Sequence, residues 1–214
     1  VRAVFEAAAR GVADAQVESI VRGPRSIPLL ILDIDNTIAD TWPSYASSWP
    51  SETARLAGLL PIPEVREAVY ERAVDTGKRV MFLSHRQLGH RRVTLRWLRL
   101  NGFAMERHSV VLVPAAADKV ALVRRLAKVT TVEYWDDLSY GHERGGPFFY
   151  TALIERIRAT SVDYHGWEDI CALRGIPSTR GGADAPAVAN EAAAAETGGN
   201  ETGGNETGEK GRVK

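Results

Sequence analysis

The sequence has little of several things, and each shortage excludes a class of protein. It holds one cysteine, Cys171, so no disulfide can form within the chain and no cysteine-based zinc cluster can be built. It has no charge excess. Lysine plus arginine and aspartate plus glutamate number 27 each in 214 residues, which argues against a general nucleic-acid binder, expected to be basic. No apolar run approaches the length of a membrane helix, so no membrane partner is expected. The first residues lack a basic segment followed by an apolar stretch, so no secretory signal is read and a cytoplasmic location is the expectation. From Ser178 onward large apolar residues are nearly absent, and Glu-Thr-Gly-Gly-Asn occurs at 196–200 and again at 201–205. Such a segment cannot offset its ordering entropy and reads as a disordered tail over 178–214. The sequons at Asn200 and Asn205 fall inside that repeat and are read as accidental.

Residues 1–177 have the pattern of one α/β domain. Apolar runs read as buried strands at 27–32, 80–83, 110–113 and 130–135, with a short strand near 161–164. Between them lie helical stretches. Residues 1–21 carry Phe5, Ala8, Ala9, Val12 and Ile20 as a stripe to pack on the sheet. Residues 63–76 carry Val65, Ala68, Val69 and Ala73, with Pro63 at the start and Gly77 as cap. Residues 88–101 carry Val93, Trp97 and Leu100, and residues 115–128 carry Val120, Val123 and Ala127. Helices over about 148–159 and 167–174 complete the chain. Alternating strands and helices predict a Rossmann-like, doubly wound parallel sheet covered on both faces.

Polar residues stand at the ends of these strands, where open α/β sheets bind ligands. The first run leads into Asp33-Ile34-Asp35-Asn36-Thr37. On an extended backbone, residues two apart point the same way, so Asp33 and Asp35 can share a pocket. Two such carboxylates require either a cation between them, with Mg²⁺ the usual choice for oxygen ligands, or a proton on one. The same residues also suit a plain turn. Ser84-His85-Arg86 follows the second strand and Asp136-Asp137 the fourth, while Lys119 falls in the first turn of a helix. Taken singly, Ser84 could be a strand-end serine, Lys119 a surface lysine, and Asp136-Asp137 a helix cap with its neighbour.

Taken in order, these motifs resemble those of the haloacid dehalogenase superfamily of phosphotransferases, over about residues 27–165. Asp33-Ile34-Asp35-Asn36-Thr37 resembles its Asp-x-Asp-x-Thr motif, Ser84 its strand-end Ser or Thr, Lys119 its lysine and Asp136-Asp137 its acidic pair. The resemblance implies that Asp33 attacks phosphorus to form an aspartyl-phosphate and that Asp35 serves as acid and then base. It implies that Ser84 binds a phosphate oxygen and that Lys119 offsets the crowded negative charge. Mg²⁺ would be held by Asp33, the backbone carbonyl of Asp35 and Asp136, with Asp137 in support. Superfamily members that keep the second acid tend to be phosphomonoesterases.

Substrate choice falls to residues outside the motifs. Thr37 adjoins the nucleophile. His85 could contact substrate or lie in solvent, and Arg86 could clamp a phosphate or another anion. His142 is a further candidate. The segment 38–62 holds Trp42, Tyr45 and Trp49, which could enclose a substrate or simply pin the loop down. It is the only stretch left for a lid, so the chain resembles a nearly capless member. An open site could take a small phosphorylated metabolite covered by this loop or by another subunit, or it could take a polynucleotide end. Arg92, Arg96 and Arg99 share one helical face that could meet nucleic-acid phosphate, although such rows are more often solvated. A non-catalytic phosphate-binding module is the reading from a different class.

Overall fold

The structure is a computed structural model that describes residues 2–24, 26–104, 109–141 and 148–178. The tail beyond Ser178, with Asn200 and Asn205, lies outside the described residues, as does His142. In chain order the elements are α1 (Arg2–Val21), β1 (Leu29–Leu32), β2 (Ala39–Asp40), a 3-10 turn (Trp42–Ala46), α2 (Glu52–Ala57) and β3 (Leu60–Pro61). A helix over 63–75 follows, made of α3 (Pro63–Val65), a π-helical turn (Arg66–Glu71) and α4 (Arg72–Asp75). Then come β4 (Arg79–Ser84), α5 (Arg91–Leu100), β5 (Ser109–Leu112), α6 (Ala116–Leu126), β6 (Val132–Trp135), β7 (Ser139–Tyr140), β8 (Phe148–Phe149), α7 (Thr151–Arg158), β9 (Asp163–His165) and α8 (Trp167–Arg174).

Five strands form one parallel sheet in the order β5-β4-β1-β6-β9. The chain winds outward from β1 through β4 to β5, then returns to the other side of β1 for β6 and β9. This is an α/β Rossmann-like fold, and its winding reverses between β1 and β6. A crevice opens at such a switch point, outside the carboxyl ends of the strands.

The sheet is apolar on both faces because its residues alternate between two cores. Leu30, Leu32, Val80, Phe82, Val110 and Leu112 face one core, with Val65, Val69, Tyr70, Trp97, Leu98 and Ile170 from the helices. Leu29, Ile31, Met81, Leu83, Val111 and Tyr134 face the other, with Val17, Val120, Val123 and Ile157.

Three helical stripes differ from the pattern read in the sequence. In α1 the buried residues are Ala9, Ala13 and Val17, whereas Phe5 is 70% exposed and Val12 is also exposed. The small residues let the helix approach closely, and the larger ones on the next face stay outside. In the helix over 63–75, Ala68 is exposed and Tyr70 is buried. The π turn shifts the register between its two halves, so a strict 3.6 spacing misplaces the stripe. In α5, Leu98 is buried and Leu100 is 73% exposed. Two short antiparallel strand pairs also escape the sequence reading. β2 pairs antiparallel with β3 inside the segment 38–62, and β7 pairs with β8, which takes Phe148–Phe149 out of the helix expected over 148–159.

Candidate active site

Asp33 continues β1 by one residue, its backbone N–H donating to the Trp135 carbonyl at 2.9 Å. Asp136 continues β6 in the same way, donating to His165. The two acids thus stand side by side at the switch point. After Asp35 the chain doubles back, with Asn36 in the left-handed region (φ 56°), a conformation that asparagine tolerates. The Asn36 side-chain oxygen accepts from the Trp42 N–H at 2.9 Å, which ties the turn to the flap beyond it.

Lys119 is not a surface lysine. It is buried, with its ammonium 2.8 Å from Asp33 Oδ1 and 2.9 Å from Asp136 Oδ2. Burial alone would lower its pKa, but the Asp136 and Asp33 carboxylates outweigh that and hold it well above the usual value. Neither Asp136 nor Asp137 caps a helix, since α7 begins at Thr151 after Tyr150. Asp136 accepts from Lys119, from the Tyr134 hydroxyl and from the Leu138 backbone N–H, and its own carbonyl accepts from the Tyr164 hydroxyl. Asp137 accepts from Ser139 and from the Asn36 side chain.

Carboxylate oxygens of Asp33, Asp136 and Asp137 lie within 4.8 Å of one another, and all three residues are buried. Three acids facing one ammonium leave negative charge in excess. Burial and the neighbouring acids push Asp33 well above the usual carboxylate range even against Lys119. Burial, followed by the charge of Asp136, pushes Asp137 up to about 7. A hard divalent cation with oxygen ligands would relieve this crowding, so the donor set fits Mg²⁺. Two hydroxyls complete the floor. Ser84 Oγ, at the end of β4, and Thr37 Oγ1 are both buried, and neither finds a hydrogen-bond partner among the described residues. Buried hydroxyls without partners are uncommon, and these two are available to an oxygen-rich ligand.

Asp35 does not join the acidic cluster. Its carboxylate is gripped by Arg86 through two bonds, Nε to Oδ2 and Nη2 to Oδ1, each 2.8 Å. Thr41 donates to Oδ1 at 2.7 Å, and Arg86 is itself steadied by Thr94 Oγ1 at 3.2 Å. Burial would raise the Asp35 pKa, but Arg86 and then Thr41 override it and hold the group well below the usual range. Arg86, read from the sequence as a clamp for a phosphate or another anion, here holds a side chain of the protein itself. His85 is exposed, with Nε2 2.8 Å from the Pro114 carbonyl. Partial desolvation of the ring and the nearby Lys119 charge lower its pKa.

The flap is held by its own contacts. The buried Arg55 donates to Ser44 Oγ at 2.8 Å and to Glu52, and its guanidinium lies 4.2 Å above the Tyr45 ring. Trp49 donates to the Ser44 carbonyl at 2.8 Å. Tyr45 and Trp49 thus belong to a local cluster. Trp42 reaches further and packs on Trp167 of α8, with centroids 6.0 Å apart. Arg92, Arg96 and Arg99 are exposed on α5.

Sequence reasoning missed Tyr134, Tyr164, Thr41 and Thr94, the residues that orient the acids. Tyr134 carried a signal, since it precedes Asp136 by two residues on β6 and so shares its side of the strand. Thr94 and Tyr164 lie on other elements and gave none.

No family model matches the sequence, and no curated protein matches it. Among solved structures, the class C acid phosphatase from Bacillus anthracis is similar, with a TM-score of 0.42 and 14% identity. The similarity covers 63% of this chain and 61% of that one, less than two thirds of the phosphatase's length. No helix among the described residues is long and apolar enough to cross a membrane.

Proposed function

We propose that this protein is a Mg²⁺-dependent phosphomonoesterase acting on a small phosphorylated metabolite through an aspartyl-phosphate on Asp33. The observation that carries the reading is Lys119 bridging Asp33 and Asp136 at the switch point, with Asp137 completing a buried acidic triad. A plain strand-end turn has no use for three buried acids around one buried lysine.

In this reading the phosphate rests against Lys119, Ser84 Oγ and Thr37 Oγ1. Lys119 offsets charge on its oxygens, and the two hydroxyls donate to them. Asp33, Asp136 and Asp137, with the Asp35 backbone carbonyl, would hold Mg²⁺, which would supply further positive charge there. The Asp33 carboxylate attacks phosphorus, an acyl-phosphate bond forms and the ester P–O bond breaks. The leaving alkoxide takes a proton from Asp35. Water then attacks the aspartyl-phosphate, Asp35 takes its proton, and inorganic phosphate leaves with Asp33 restored. The second step suits Asp35 as it stands, ionised on Arg86. The first requires Asp35 protonated, so its grip on Arg86 has to loosen when substrate binds.

The test is phosphate release by the full chain with Mg²⁺ or with chelator, over a panel of sugar phosphates, nucleotides and phosphorylated oligonucleotides. Release that depends on Mg²⁺ and is abolished by Asp33→Asn is the expected result. Folded Asp33→Asn protein as active as the parent would overturn the assignment.

A further inference from the structure

Asn36 stands where glycine would fit most easily. Its φ of 56° lies in the left-handed region, which glycine enters freely and other residues enter at a cost. The turn itself is closed by backbone alone. Asn36 N–H donates to the Ala39 carbonyl at 2.7 Å, and the Ile38 and Ala39 N–H groups donate to the Ile34 carbonyl at 3.1 and 2.8 Å. The side chain is nevertheless buried, and both ends of its carboxamide are used. The oxygen accepts from the Trp42 N–H at 2.9 Å, and the nitrogen donates to Asp137. The partners fix this orientation, because a backbone N–H can only donate and so takes the oxygen, leaving the –NH₂ for the carboxylate. The two partners belong to different parts of the site. Asp137 is one of the three clustered acids. Trp42 opens the 3-10 turn of the flap, and its ring packs on Trp167. Thr41, just before it, donates to Asp35 at 2.7 Å.

We infer that Asn36 is a positioning residue that aims the Asp137 carboxylate at the cation and makes the hold on that cation depend on the flap. The inference rests on the Mg²⁺ part of the phosphatase reading. Ser139 also donates to Asp137, but a hydroxyl turns freely about its own bond. The Asn36 amide is pinned by Trp42 and offers its donor in one direction. A partner that orients a ligating side chain in this way is worth about 10–100-fold in metal affinity. Linkage runs both ways, so a flap bond that favours cation binding is itself strengthened once the cation is bound. The side chain thus gives a return for the left-handed backbone it occupies, in a form that glycine could not supply.

The experiment is a calorimetric titration of Mg²⁺ into the full chain, without substrate. Asn36→Gly keeps the left-handed turn and removes only the carboxamide. It should weaken Mg²⁺ binding by at least about 10-fold. Asp137→Asn should weaken binding as well, and adding Asn36→Gly to it should cost little more, because the two residues act as one unit. A turn that had merely loosened would cost the same in either background. Amide exchange at Trp42 needs no substitution, and Mg²⁺ should slow it in the parent but not in Asp137→Asn. If the parent binds Mg²⁺ and Asn36→Gly binds it as tightly, the positioning role is wrong and the phosphatase reading stands. If the parent binds no Mg²⁺, the cation is struck from that reading and the role of Asn36 falls with it. A loss of equal size in the parent and Asp137→Asn backgrounds would overturn the route through Asp137. Exchange at Trp42 that ignores Mg²⁺ would overturn the link to the flap.

Discussion

Lys119 shows how much one buried charge can hold together. Its ammonium lies within 2.9 Å of two buried carboxylates, and a third acid stands next to them. Lys119→Met removes the compensating charge while keeping the volume. Breaking a buried pair from one side typically costs about 3–5 kcal/mol. We expect a loss of that size in denaturant unfolding, and an unchanged midpoint would mean that the ammonium does not hold the cluster. Asp35 differs from Asp33 in kind. Its carboxylate is kept ionised by Arg86 and Thr41, outside the triad. Its replacement should therefore remove proton transfer while leaving the nucleophile in place. Asp35→Asn should lower kcat by roughly 10²–10⁴-fold, the usual worth of a general acid–base group, whereas Asp33→Asn should abolish turnover. Equal kcat in Asp35→Asn and parent protein would remove Asp35 from the reaction. The carboxylates themselves were legible in the sequence because strand ends mark where a doubly wound sheet binds ligands. Lys119 and Arg86 were legible too, but that Arg86 grips Asp35, that Thr94 steadies Arg86 and that Tyr164 reaches Asp136 was not, because tertiary packing that no local spacing encodes brings them together.

The central strands were legible as elements for a physical reason. Buried on both faces, they are continuous apolar runs such as Leu29-Leu30-Ile31-Leu32, too short for a typical helix and bounded by turn-forming residues, which selects the strand reading. β2, β3, β7 and β8 have two residues each, too few to show any period, and so they passed as loop or helix. Along α1 the large residues Phe5 and Val12 misled, because side-chain size is a poor guide where close approach selects alanine. Strand β6 also carries a tie to the start of β4. Glu133 accepts from Lys78, which precedes β4, and from the Trp135 indole. Burial would raise the Glu133 pKa, but these bonds prevail and lower it. A lowered carboxylate pKa contributes stability above the unfolded value, about 4.3 for glutamate, and that contribution fades as the pH falls through the folded value. Glu133→Gln should thus be less stable than the parent at pH 7, by under about 1 kcal/mol for so partly exposed a pair. The gap should begin to narrow as the pH falls below the unfolded value of about 4.3 and should close only once it has passed the lowered folded value, where the parent has lost the same charge. A gap that persists unchanged into acid would assign the effect to packing instead of charge.

At the scale of the whole molecule, the fold gathers charge that it does not itself neutralise. The winding places β1 and β6 side by side, and that adjacency forces Asp33 against Asp136 and Asp137. Lys119, delivered from α6 on one face of the sheet, offsets only part of that charge. A cation that completes the balance binds the folded chain and has no comparable site in the unfolded one, so it should raise global stability. At a free concentration of 100 times its dissociation constant, a ligand of this kind contributes about 2.7 kcal/mol. For a chain of this length each kcal/mol moves Tm by roughly 2–4 °C, so Mg²⁺ should raise Tm by about 5–10 °C over chelator. Asp137→Asn retains the hydrogen-bonding shape but removes one charge, and it should shrink that rise while raising Tm in chelator, where Lys119 alone opposes the repulsion among the acids. The two effects have opposite signs and one origin. A variant that kept the full Mg²⁺ response but was less stable in chelator would show that Asp137 acts through its bonds to Ser139 and Asn36, and that the metal is held elsewhere.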